Sequence, residues 1–180
     1  MPDTWNRFSR GSGTDFRHET MPSHPSGPFT AFRIAENRFP LLDGGGAYRF
    51  GARWNSSGRH VIYAGLGFAG ALVEKLVRSR LGKVPKDHQF AEIFIPATVA
   101  VEEVGATDVP GWDRRGYAAS QAYGDAWYDS GRTAVLIVPS VPAMGLERNV
   151  LINLRHPQFR HVTHADPRPV IWDARLFGAP

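Results

Sequence analysis

The chain contains no cysteine. That absence alone excludes a disulfide framework, Cys-ligated zinc and thiol catalysis. Lysine is nearly missing as well, with 3 lysines against 18 arginines. No apolar run approaches the roughly 20 residues that span a bilayer, and the N-terminus lacks a signal-peptide apolar region. These absences lead us to expect a cytoplasmic protein with no membrane association. The arginines are scattered rather than gathered in a stripe interleaved with aromatics, so direct nucleic-acid binding is not expected.

What is present is 180 residues with a net charge of +4 and 42% hydrophobic content. A chain of that length fits one domain and can bury about 70% of its unfolded surface. Arginine suits a site that holds phosphate or carboxylate in a planar fork. Arginine-biased codon usage would give the same count.

Residues 1 to 28 are polar, rich in Gly, Ser, Pro, Asp and Arg, and read as a flexible or loosely packed extension. From Phe29 the pattern changes, and residues 29–180 read as one domain. Strands are predicted over Phe29–Ile34, Arg59–Ala64, Gln89–Ile95, Ala100–Val104, Thr133–Val138, Asn149–Leu154 and Val170–Trp172. Helices are predicted over Phe68–Leu81 and Tyr117–Tyr128, and Gly44-Gly45-Gly46 reads as a loop. Many strands and few helices indicate a compact single α+β domain, a mixed central β-sheet with flanking helices.

Gly65-Leu66-Gly67-Phe68-Ala69-Gly70 spells G-x-G-x-x-G between a predicted strand and a helix. A doubly wound dinucleotide fold would need an acid closing the next strand, and Gln89–Ile95 runs instead into Pro96-Ala97-Thr98. The regular alternation of helix and parallel strand is also missing. We therefore set that fold aside.

Another stretch carries more chemistry. Gly51-Ala52-Arg53-Trp54-Asn55-Ser56-Ser57-Gly58 is a glycine-bounded loop suited to a flat anionic ligand. Arg33, between Phe32 and Ile34, is expected half-buried and in need of an anionic partner. Glu74 lies mid-helix among Gly70, Ala71, Val77 and Arg78. It reads either as an i,i+4 pair with Arg78 on a solvated face or as a carboxylate projected into a pocket. Trp54 and Tyr63 suit stacking on a ring or core filling, the commoner role of aromatics, and Asn55 is also a plain turn former. Ser140 ends an apolar run without a Gly-x-Ser-x-Gly elbow, so it is not read as a hydrolase nucleophile. His156, His161 and His164 lack metal-ligand spacing, and no metal is expected.

The order of these motifs resembles the RES domain, named for Arg, Glu and Ser. The resemblance runs from about Phe29 to Phe177. It rests on Phe32-Arg33-Ile34, Gly46-Ala47, Gly51-Ala52-Arg53-Trp54-Asn55 with Gly58, Val61-Ile62-Tyr63-Ala64 and Ala71-Leu72-Val73-Glu74. It continues through Leu136 to Ser140, Glu147 to Asn153 with His156-Pro157, and Asp173-Ala174-Arg175-Leu176. Ala52 stands where a second glycine is usual, and Leu154 where proline is frequent.

The resemblance implies an ADP-ribosyltransferase-like fold and a toxin of a bacterial toxin–antitoxin module. Such a toxin breaks the nicotinamide–ribose bond of NAD+, with inorganic phosphate, water or a protein side chain as acceptor. It implies NAD+ as substrate, phosphate as co-substrate and no permanently bound cofactor. An Xre-like helix-turn-helix antitoxin is the implied partner, and a homodimer is left open. By the same resemblance Glu74, Arg33 and Ser140 are catalytic. Glu74 stabilises an oxocarbenium-like ribose. Arg33 and Arg53 clamp phosphate, Tyr63 or Trp54 stacks on nicotinamide, and Ser140 and Asn149 position a hydroxyl or phosphate oxygen. Asn55 completes the binding loop.

Overall fold

A computed structural model describes residues 27–78 and 87–177. The N-terminal extension expected over residues 1 to 28 therefore lies almost wholly outside the described residues, as does the predicted helix end at 79–81. The elements are β1 (Phe29–Glu36), α1 (Gly45–Phe50), β2 (Val61–Gly65), α2 (Phe68–Arg78), β3 (His88–Ile95) and β4 (Val101–Glu103). There follow α3 (Ala118–Ser130), β5 (Val135–Pro139), β6 (Arg148–Asn153), β7 (Thr163–His164) and β8 (Arg168–Pro169). Two 3-10 turns, Pro157–His161 and Ala174–Phe177, complete the elements of the described residues.

The strands form one mixed sheet in the order β4-β5-β6-β2-β1-β3-β7, with β8 also paired to β3. Among the described residues only β4 and β5 run parallel; the other pairings are antiparallel. That pattern rules out a doubly wound fold and is the α+β arrangement expected. Val135 to Pro139 are all buried, because β5 is covered on both faces. Alternate residues feed two cores. Ile62, Ala64, Val135, Ile137, Val150 and Ile152 pack on one face. Val61, Leu136, Val138 and Leu151 meet Trp54, Trp127 and Tyr128 on the other.

Helix α3 covers this second face. Its approach is so close that a Cβ on Gly124 would lie 1.8 Å from the Trp54 carbonyl oxygen, so only glycine fits there. The helix ends on Gly131, whose left-handed φ of 58° returns its N–H to the carbonyls of Trp127 and Tyr128.

Two local expectations differ from the structure, and one short strand was not expected. Gly45 and Gly46 open a short helix rather than a loop, because the Asp43 carboxylate accepts from Gly45 N at 2.8 Å and starts the turn. Val170–Trp172 is not a strand; pairing with β3 is made upstream by Phe90↔Arg168 and Gln89↔Pro169. The two-residue β7 is too short to leave a sequence period.

Near the outer edge strand β4, Glu102 bonds Arg132 through both guanidinium arms and accepts from the Tyr123 hydroxyl. The Arg132 bond holds the Glu102 carboxyl below its ordinary 4.5. A depressed folded value means that its stabilisation is complete above 4.5 and is lost as pH falls through the lower value. Glu102→Gln is therefore expected to flatten the acid limb of the stability–pH curve. An acid limb identical to that of the parent would refute this.

Candidate active site

The site is assembled where α2 crosses the sheet. Gly65 ends β2, and a Cβ there would meet Gly67 O at 2.9 Å and Ala71 N at 3.0 Å, so the helix rests directly on the strand end. Phe68 anchors the first turn, its ring 5.9 Å from Phe32 and 4.7 Å from Phe90. Ala71 is the buried contact of the helix, and Glu74 follows one turn later on the same side.

That phase brings Glu74 to the ends of β5 and β6. Its Oε1 accepts from Ser140 Oγ at 2.8 Å and from Asn149 Nδ2 at 2.7 Å. Among the described residues Oε2 carries no bond. Nor do they show an ion pair between Glu74 and Arg78; the carboxylate turns to Ser140 and Asn149 instead. The local cause is competition: two neutral donors, fixed by the sheet, hold the carboxylate on its inner side.

Ser140 is 2% exposed and spends its hydroxyl proton on Glu74. Its geometry is that of a residue that orients the carboxylate, rather than one that meets a ribose or phosphate oxygen itself. Asn149 lies opposite Gly65 and Val138 in the sheet, which fixes its side chain beside α2.

Arg33 occupies a fault in the sheet. β1 and β3 pair along all eight residues of each strand. β1 and β2 share only Phe32↔Gly65. Into the gap comes the turn before α1, and Arg33 bridges it. Nη1 donates to Tyr63 O at 2.9 Å and Nη2 to Asp43 O at 3.0 Å. Nε is buried without a partner. Burial lowers the Arg33 pKa to about 10, Asp43 opposing and Arg78 adding to the fall, so the group stays a cation at neutral pH.

Arg33 was expected to need an anion, and its Nη bonds go instead to backbone carbonyls. The Asp43 carboxylate acts on its charge without pairing with it directly.

The 51–58 loop is built inward. Trp54 is 2% exposed, stacked on Trp112 at 6.4 Å and edge-on to Tyr123. Asn55 is wholly buried, donating to Ala47 O at 3.1 Å and to Ser56 O at 2.9 Å. The expectation that these two residues form a ligand-facing surface is corrected: both belong to the core, since α3 lies over them. Tyr63 donates its hydroxyl to Asn55 Oδ1 at 2.7 Å and accepts from Trp54 N at 3.2 Å. Burial pushes its pKa up, so it is a neutral group throughout the working range. The hydroxyl is committed, which leaves the ring as the part of Tyr63 able to meet a ligand.

Arg53 donates through Nη1 to Trp112 O at 2.9 Å and to Arg114 O at 3.1 Å, its guanidinium 4.4 Å over the Tyr117 ring. It is tied to the 112–117 segment, and no bond brings it to Glu74 or Arg33.

Two residues that support the site escaped the sequence reading. Asp125 accepts from Ser56 N at 2.9 Å and from Ser56 Oγ, and Gln121 donates to Ala52 O at 2.9 Å. They lie four apart on α3, but an i,i+4 polar pair on a helix gives no sign of what it will face. Among the described residues no three His, Asp or Glu side chains converge as a metal site requires. No helix among them is long and apolar enough to cross a membrane.

A family model described as the RES domain matches residues 30–173. A Prs ADP-ribosylating toxin of Sphingobium sp. is 35% identical over 139 residues, covering 75% of this chain and 86% of that protein. A Toxin Res of Pseudomonas putida is 33% identical over 119 residues, covering 65% of this chain and 80% of its own length. The solved structure of the M. tuberculosis MbcT–MbcA toxin–antitoxin complex superposes with a TM-score of 0.66 at 17% identity. That match covers 79% of this chain and 86% of the other, and it establishes a shared fold.

Proposed function

This chain belongs to the RES domain family, and on that premise we propose that it is a bacterial toxin that consumes NAD+. It cleaves the bond between nicotinamide and ribose, with inorganic phosphate as acceptor. The observation that carries this reading is the Glu74 carboxylate, held through Oε1 by Ser140 and Asn149 and open at Oε2.

Nicotinamide leaves as a neutral molecule from a cationic ring, so the reaction needs little acid assistance. The C1″–N1 bond breaks with its electron pair passing to the ring nitrogen, and the ribose gains oxocarbenium character. A fixed carboxylate beside C1″ stabilises that charge. Phosphate oxygen then forms the new C1″–O bond, giving ADP-ribose 1″-phosphate and free nicotinamide. Ser140 and Asn149 hold the carboxylate so that no reorientation is needed as charge develops. Arg33 lends positive charge to the anionic part of the substrate. The Tyr63 ring, its hydroxyl locked, forms a wall for the nicotinamide. Trp54 and Asn55 act behind it as support, and Arg53 stays a candidate phosphate contact.

NAD+ is the substrate, phosphate the co-substrate, and the bacterial cytoplasm the place of action. An Xre-like helix-turn-helix antitoxin is the proposed partner. A second reading, transfer of ADP-ribose to a protein, is favoured by the similarity to the ADP-ribosylating toxin of Sphingobium.

Purified protein mixed with NAD+, with and without phosphate, separates these readings by NMR. Nicotinamide release that requires phosphate and yields ADP-ribose 1″-phosphate is the expected result. Release that is indifferent to phosphate would replace phosphorolysis by hydrolysis. Release only with added lysate, together with a labelled protein band, would favour the transferase. Binding of NAD+ without any release would leave a nucleotide-binding module and overturn the enzyme.

A further inference from the structure

We propose that Asp43 is a positioning residue: it closes a circuit of hydrogen bonds that clamps Tyr63 at both its backbone carbonyl and its hydroxyl. The inference rests on the function proposed above in one respect, the part given to the Tyr63 ring as a wall for nicotinamide.

The circuit has two arms, and both begin at the turn before α1. One arm runs through Arg33, which donates from Nη2 to Asp43 O at 3.0 Å and from Nη1 to Tyr63 O at 2.9 Å. The other runs through α1 itself. The Asp43 carboxylate accepts from Gly45 N at 2.8 Å and fixes the first turn of that helix. Within the helix Ala47 O accepts from Asn55 Nδ2 at 3.1 Å, and Asn55 Oδ1 accepts from the Tyr63 hydroxyl at 2.7 Å. Asp43 is where the arms meet: its main-chain oxygen serves the first and its carboxylate the second.

The run Gly44-Gly45-Gly46 fits this assignment residue by residue. A Cβ on Gly44 would stand 3.1 Å from Val61 N and 3.2 Å from the His60 carbonyl carbon, so the turn lies against the backbone that enters β2. A Cβ on Gly45 would stand 2.9 Å from Asp43 Oδ1 and 3.2 Å from Oδ2, so the carboxylate keeps its place only beside a residue without a side chain. A Cβ on Gly46 would meet nothing within 4 Å. A helix of six residues is too short to hold itself, so these contacts decide where α1 stands. Ordinary capping accounts for the bond to Gly45. It does not account for the buried arginine that ties the same residue to the strand carrying Tyr63. Nor does it account for the buried Asn55 amide that joins α1 to the Tyr63 hydroxyl.

The test reads the Tyr63 ring by NMR in isotope-labelled protein, its signal assigned through Tyr63→Phe, and measures KM and kcat for NAD+ beside it. Asp43→Ala should shift or broaden the Tyr63 signal. The indole N–H of Trp127, bonded to Thr133 Oγ1 in the core, should stay in place. KM for NAD+ should rise about fivefold, the equilibrium equivalent of one lost helix cap, with kcat changed less. Asp43→Asn keeps a capping oxygen and should recover most of both. Gly45→Ala should reproduce the Asp43→Ala result by pushing the carboxylate aside, although alanine favours the helix itself. Gly46→Ala should leave signal and KM as in the parent. A Tyr63 signal unmoved in both Asp43→Ala and Gly45→Ala would overturn the circuit. So would equal disturbance of Tyr63 and Trp127, which marks a general loosening. Asp43→Asn as damaged as Asp43→Ala would overturn it too, because charge rather than the cap would then be at work. A parent that releases no nicotinamide overturns the proposed function alone, and the Tyr63 signal still decides the clamp.

Discussion

Glu74→Gln is expected to slow nicotinamide release by about 10²- to 10³-fold in kcat, the usual cost of removing one preorganised electrostatic contact. The substitution isolates charge unusually well. A glutamine carbonyl can accept the same two bonds from Ser140 Oγ and Asn149 Nδ2 that Oε1 accepts now. Side-chain volume, helix phase and the fit of α2 on Gly65 stay as they are, and what disappears is the negative charge that we propose stabilises C1″. Stability to denaturant should therefore remain close to that of the parent while turnover collapses. Ser140→Ala is expected to do less, since it frees the carboxylate to rotate without neutralising it. Turnover of Glu74→Gln within about threefold of the parent, measured on protein of unaltered stability, would show that the carboxylate does not act through its charge.

Trp54→Ala is expected to cost about 3–5 kcal/mol of folding stability, the range for truncating a large buried aromatic. The indole is 2% exposed and packs against Trp112 and Tyr123. Its backbone N–H also bonds the Tyr63 hydroxyl, so collapse of the cavity would loosen Tyr63 as well. Equilibrium unfolding in urea reads this directly. The alternative, a tryptophan that stacks on the ligand, predicts ordinary stability with a raised KM for NAD+, and that outcome would return Trp54 to the binding surface. At 180 residues, a loss of 3–5 kcal/mol is a large part of the 5–15 kcal/mol typical of a domain.

The two predictions divide the glycine-bounded loop from the helix that follows it. In sequence the Arg53-Trp54-Asn55 triplet is the most conspicuous feature and Glu74 among the plainer ones. In the fold their standing is reversed. Asn55 and Trp54 serve Tyr63 from behind, Arg53 is bound to the carbonyls of Trp112 and Arg114, and Glu74 stands at the centre. A loop rich in unusual residues announces only that something specific must be satisfied. Whether that is a ligand or the protein's own backbone depends on what packs over it, here α3 with its glycine at 124.

Much was nonetheless determined by the sequence itself. Absence of cysteine excluded disulfides and thiol chemistry, and local periodicity located β1, α2, β3, α3, β5 and β6 to within a few residues, because a buried face imposes its period on the chain. The ordered blocks around Arg33, Glu74 and Ser140 carried the family. The tertiary structure alone decided that Glu74 would answer to Ser140 and Asn149, 66 and 75 residues away, rather than to Arg78 four residues on. It alone opened the fault between β1 and β2 that Arg33 fills, and it alone buried Trp54. The reason is common to all three. A hydrogen bond or ion pair goes to whichever partner the packed backbone holds in place, and nearness along the chain is only one of the ways of being near.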